Sequence, residues 1–123
     1  MFKTNFYVHV TTAKGSKEYQ QKTGWGEFLK APNGSPVSLR FDRRTPYGWR
    51  ITEESTGYAV SGDYYRTRAE AVRILTPEIL QKIADRLGDP EMLRAAEALA
   101  AFILSQNSAI DKAAAGQYNK AKE

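Results

Sequence analysis

The sequence predicts an α+β fold, an N-terminal antiparallel β-sheet of about four or five strands followed by three or four C-terminal helices packed on it. Two observations carry this reading. Apolar residues alternate with a period of two over Asn5 to Thr12, Val37 to Arg43 and Gly48 to Glu53, and recur at helical spacing from Thr67 onward. Aromatics divide in the same way, with twelve in residues 1–75 and only Phe102 and Tyr118 in residues 76–123. Sheets favour aromatic side chains and helices favour alanine, so the two signals agree. A chain of 123 residues is expected to form one domain, β-rich over 1–66 and helical over 67–123.

Asn5 to Thr12 alternates cleanly, Phe6, Val8 and Val10 on one face and Tyr7, His9 and Thr11 on the other, which predicts a half-buried strand. Lys14-Gly15-Ser16-Lys17 is a turn. Glu18 to Lys30 reads as either a strand or an irregular segment, because Tyr19, Trp25, Phe28 and Leu29 fit no single period and Gly24-Trp25-Gly26 breaks a helix. Residues 13–36 therefore leave the strand order open. Pro32-Asn33-Gly34-Ser35-Pro36 is a loop. Val37 to Arg43 is a strand with Val37, Leu39 and Phe41 inward, and Gly48 to Glu53 is another with Trp49 and Ile51 on one face. Glu54-Ser55-Thr56-Gly57 turns the chain back. Pairing Glu53 with Tyr58 sets Ile51 opposite Val60 and Trp49 opposite Gly62.

Thr67-Arg68-Ala69-Glu70 is a capping box that opens a short helix ending near Leu75. Thr76-Pro77-Glu78 opens a second, whose stripe is Ile79, Leu80, Ile83, Ala84 and Leu87 and whose stop is Gly88. Asp89-Pro90-Glu91 opens a third, which runs to about Leu104 or Ser105. A break at Ser105 to Ser108 then precedes a last helix anchored only by Ile110 and Tyr118. Such a helix frays unless it docks, for example at a dimer seam.

Composition excludes several function classes. Without cysteine there is no disulfide, thiolate metal site or thiol nucleophile, which suits a reducing, cytoplasmic setting. The first ten residues alternate and carry a lysine, so no secretory signal is expected. The longest apolar stretch, Ala95 to Leu104, is interrupted by Glu97 and falls well short of the ~20 residues that span a bilayer. His9 is the only histidine and reads as a surface strand residue. A catalytic relay or zinc site has too few ligands to draw on, and phosphate-binding glycine loops are absent from the sequence. Glu53 and Asp63 are the one carboxylate pair worth naming, and they read as solvating hairpin acids. The expectation is a non-enzymatic protein without metal or cofactor.

Charge points to the front half. Residues 1–75 hold twelve Lys/Arg against seven Asp/Glu, within a chain of net charge +4. The run from Arg40 to Arg50 packs four arginines and three aromatics into eleven residues. A hairpin symmetric about Thr45 would set Arg40 opposite Arg50, a repulsion that an anion would relieve. Arg43 and Arg44 at the tip extend this patch, as do Arg66 and Arg68, and the tyrosines Tyr47, Tyr64 and Tyr65 suit stacking on bases. Against this, Asp42, Glu54 and Asp63 lie near enough to pair with these arginines internally. The third helix carries Met92, Leu99, Phe102 and Ile103 around much of its circumference, which suggests a partner or homodimer seam.

The leading expectation is a basic, aromatic sheet face that engages nucleic acid or a nucleoprotein. The alternative is a small inhibitor or adaptor of the phage or plasmid type, such as an anti-defence protein, that binds a host protein. A third is sequestration of a small anionic nucleotide at a dimer seam.

Overall fold

The computed structural model describes the backbone of residues 1–122 and the side chains of residues 1–108. Four antiparallel strands, β1 (Phe2–Thr11), β2 (Lys17–Lys30), β3 (Pro36–Arg44) and β4 (Gly48–Glu53), form one sheet in the order β1-β2-β3-β4. Three helices follow: α1 (Arg68–Arg73), α2 (Pro77–Leu87) and α3 (Pro90–Lys122). This is the expected α+β architecture.

β2 is the segment the sequence left open, and it is a strand throughout. Lys17–Gly26 pairs with β1 while Trp25–Lys30 pairs with β3. A long strand that changes partners midway also changes what covers it, so no single apolar period survives along it. The crossover is at the glycines. A Cβ on Gly24 would collide with the Phe41 carbonyl, and one on Gly26 would lie 2.5 Å from the Phe2 ring. The turn after β4 then reaches the outer edge of β1, where the His9 N–H donates to the Gly57 carbonyl (2.9 Å). Gly57 has φ +75°, and a Cβ there would meet the Tyr7 carbonyl at 3.2 Å, so only glycine fits without strain. That contact draws the two ends of the sheet together.

The main core lies between the sheet and the helices. Val37, Leu39, Phe41 and Ile51 are almost fully buried with Ala71 of α1 and Leu80 of α2. Phe6 and Val8 are equally buried, but on the opposite face of the sheet, which by register also carries Arg40, Asp42 and Thr52. Both faces are thus covered near the middle. Burying a charged pair of residues on one of them requires internal partners for each.

The chain beyond β4 forms a return without regular strand. Val60 N–H donates to the Ile51 carbonyl (2.9 Å) as the expected register requires. Trp49, however, exchanges both backbone bonds with Tyr65 and not with Gly62. The intervening residues bulge outward, and the Gly62 carbonyl is taken by the Arg50 guanidinium (3.0 Å).

The helix starts follow their capping chemistry. Thr67 Oγ1 accepts the Glu70 N–H (3.1 Å), while the Glu70 carboxylate accepts from Arg66 N–H. Thr76 Oγ1 accepts the Ile79 N–H (3.3 Å). The break expected at Ser105–Ser108 is absent, and α3 is one helix. Ser105-Gln106-Asn107-Ser108 contains neither proline nor glycine, so helix continuation there costs only a few tenths of a kcal/mol per residue. The expected anchors Ile110 and Tyr118, and with them the docking or fraying of a last helix, fall outside the described side chains. Among the described residues, no helix is long and apolar enough to cross a membrane.

Candidate functional site

The β3–β4 connection decides what the arginines do. Thr45-Pro46-Tyr47 forms a three-residue turn with a cis Thr45–Pro46 peptide, closed by the Tyr47 N–H donating to the Arg44 carbonyl (2.7 Å). Its centre is Pro46, not Thr45. Proline has no N–H to give a ladder, so it belongs in the turn and not beside Arg44. The pairing shifts accordingly: Asp42 faces Arg50, Arg40 faces Thr52, and Phe41 faces Ile51. The expected opposition of Arg40 and Arg50 does not exist.

Arg40 is buried and its guanidinium is engaged within the chain. Its side chain is 6% exposed. The guanidinium donates through Nη1 to Ser38 Oγ and the Leu39 carbonyl (both 3.0 Å) and lies 3.6 Å from Glu54. The Phe2 and Phe28 rings sit 5.2 and 5.5 Å from its Cζ. Arg44 is held by Asp42 (3.1 Å), whose carboxylate is itself buried. Arg50 bonds the Gly62 carbonyl and lies under the Tyr64 ring at 4.6 Å. Arg68 stacks on Trp25 at 4.6 Å. Tyr65 is half-buried, with its hydroxyl 3.2 Å from Ser61 Oγ.

Four of the nine expected residues remain at the surface and come together. Arg43, Tyr47 and Arg66 line one cleft of about 260 Å³ beside the β3–β4 turn, with no acidic residue in its wall. Neither guanidinium has an ion-pair partner among the described residues. Tyr47 is 69% exposed, and its ring lies 5.3 Å from that of Tyr64, which Arg50 supports from behind. The candidate site is therefore the end of the sheet and not its face.

The expected seam residues are largely occupied within the chain. Met92 and Leu99 are 8% and 1% exposed, and Phe102 packs on Tyr7 (5.2 Å) and Tyr19 (4.7 Å). Among the described residues, Leu93, Ile103 and Leu104 are the large apolar side chains this helix exposes.

Two residues differ from their expected surroundings. Glu53 is buried, not solvating, and accepts from Ser55 N–H (3.0 Å), Ser55 Oγ (2.7 Å) and Thr56 N–H (2.9 Å), which locks the turn after β4. Asp63 is exposed. His9 is stacked flat on Tyr58 at 4.6 Å, with Tyr19 at 4.7 Å on a tilt. Burial first, and Lys17 second, hold its pKa below the ordinary 6.5. Burial, with Tyr58 beside it, raises Tyr19 above 10.

Sequence reasoning missed Lys17, Tyr58 and Arg86, which share a groove at the junction of β2, the return and α2. They are scattered along the chain, and no local pattern links them. Comparison with protein-family models, with curated proteins and with solved structures finds no match for this chain.

Proposed function

We propose that the protein is a non-enzymatic, cytoplasmic binding protein that engages single-stranded nucleic acid, free or in a nucleoprotein, at the β3–β4 end of its sheet. The observation that carries this reading is the cleft in which Arg43 and Arg66, neither ion-paired among the described residues, flank the exposed Tyr47 with no acid in the wall. Two guanidinium forks suit phosphates, and the Tyr47–Tyr64 pair offers a platform on which a base can stack. Arg50 supports that platform through its contact with Tyr64 and does not itself reach for the ligand.

The test is fluorescence anisotropy with a labelled single-stranded oligonucleotide over a range of salt. About two to three phosphate contacts give a log–log salt slope of roughly −2 for a single strand. Arg43→Ala/Arg66→Ala is expected to weaken binding by about tenfold or more, and Tyr47→Ala to remove about 1–3 kcal/mol per stacked base. Absence of binding at low salt, or binding indifferent to the double variant, rejects the reading.

A protein partner is the second reading, in keeping with a small inhibitor or adaptor. It is favoured by a separate observation: Phe2 and Phe28 are both exposed, with their stacked rings 5.2 Å apart. Phe28→Ser is expected to abolish such an interaction and to leave oligonucleotide binding intact.

A further inference from the structure

Away from the β3–β4 end, two adjoining hollows form one groove between the return after β4 and the helices. They share Lys17, Tyr58, Val60 and Arg86 in their walls. The two ends differ in chemistry. One end, about 260 Å³, is floored by Ile83, Leu87 and Met92, from α2 and the start of α3. The other, about 400 Å³, is lined by His9, Lys17, Arg50 and Arg86, and no carboxylate stands in its wall. Of the two acids in the apolar end, Glu53 has both carboxylate oxygens committed to Ser55 and Thr56, and Glu91 is exposed. Arg50 Nε is buried without a hydrogen-bond partner. Lys17 and Arg86 are exposed, and neither has an ion-pair partner among the described residues.

From this arrangement we infer that the groove is a second binding site, for a small amphipathic organic anion whose carboxylate or phosphate head lies between Lys17 and Arg86 and whose apolar body lies on Ile83, Leu87 and Met92. At the end whose wall holds no carboxylate, the gathered cations raise the local concentration of anions, and the aliphatic floor of the other end supplies the burial that a bare inorganic ion cannot use. The combined size falls in the range of small-ligand pockets. His9, stacked between Tyr58 and Tyr19, closes the cationic end as a fixed aromatic wall. The site is independent of Arg43 and Arg66, so its success or failure does not depend on the nucleic-acid reading.

Decanoate is a suitable probe, followed by methyl and amide NMR, with acetate as head alone and decanol as body alone. The expected result is saturable decanoate binding that shifts Ile83, Leu87 and Met92 methyl signals and is at least about tenfold tighter than either fragment. Lys17→Ala/Arg86→Ala is expected to weaken it by about tenfold or more, since both are charge contacts. Both side chains are at the surface, so the fold is expected to survive, and the wild-type comparison of the three probes needs no variant. Arg43→Ala/Arg66→Ala is expected to leave decanoate binding unchanged. No saturable binding, shifts centred on the exposed Leu93 and Leu104, decanol binding as tightly as decanoate, or indifference to the Lys17/Arg86 change would each overturn the proposal.

Discussion

Replacing Arg40 by alanine separates a structural arginine from a ligand-binding one. The substitution removes the donors to Ser38 and Leu39, two ring contacts and the packing of the aliphatic stem. Together the hydrogen bonds from this charged group contribute about 1.5–3 kcal/mol, and each cation–π contact roughly 0.5–1, because the Phe2 and Phe28 rings are exposed. Part of this is offset, because Arg40 Nε is buried without a partner and its removal relieves that cost. A net loss of about 2–4 kcal/mol follows, within the range seen when a buried network is broken. With a urea m-value near ~2 kcal/mol/M, the midpoint should fall by about 1–2 M at unchanged slope. Glu54→Ala is the control. Its side chain is 45% exposed and 3.6 Å from Arg40, so its loss should cost no more than about 1 kcal/mol. Folded Arg40→Ala protein should bind oligonucleotide as the wild type does. An unchanged urea midpoint together with lost nucleic-acid binding would refute the structural assignment and restore Arg40 to the ligand face.

Gly24→Ala drives a methyl group into the Phe41 carbonyl and should destabilise by about 1–3 kcal/mol or more, measured by urea denaturation, whereas Gly62→Ala, with open space around it, should be near neutral. Thr76→Ala removes the oxygen that accepts the Ile79 N–H and should cost about 1 kcal/mol in the same assay. His9 has a folded-state pKa below its unfolded value, so the unfolded chain binds more protons as pH falls through 6.5. Stability should accordingly be insensitive to His9 above that pH and decline below it until the folded-state pKa is passed. His9→Gln should flatten that part of the urea-midpoint profile, and as the chain's only histidine its imidazole signals can be titrated without ambiguity.

What could be read in the sequence was what neighbouring residues determine. The alternation of β1, the inward set Val37, Leu39 and Phe41, and the caps at Thr67 and Thr76 all depend on contacts a few residues apart. Register was harder. Moving the turn centre from Thr45 to Pro46 keeps every side chain on its face, so hydrophobic pattern alone does not distinguish the two pairings. Only the partners change, and with them the identity of the free arginines. β2 was obscure for a related reason: its covering layer changes where Gly24 and Gly26 admit the Phe41 carbonyl and the Phe2 ring. The groove beside α2 joins residues as distant as His9 and Arg86, which no window along the chain brings together.

The basic front half also illustrates why formal charge overstates binding capacity. A guanidinium can grip a ligand only with donors the fold has not already consumed. Arg40, Arg44 and Arg50 each direct donors to Ser38, Asp42 or a backbone carbonyl. Arg68 covers Trp25. The arginines that enter the candidate cleft, Arg43 and Arg66, come from the end of β3 and from the coil before α1, where the ladder and the helix have no use for their side chains. The same selection operates at the groove, where Lys17 begins β2 and Arg86 lies in the last turn of α2. An element end does not by itself leave a cation free, since Arg44 ends β3 and Arg68 begins α1 and both are engaged; Arg43, Arg66, Lys17 and Arg86 differ in having no ion-pair or ring partner among the described residues. In this fold, two such sets converge at two separate places, and each can be removed by substitution without touching the core.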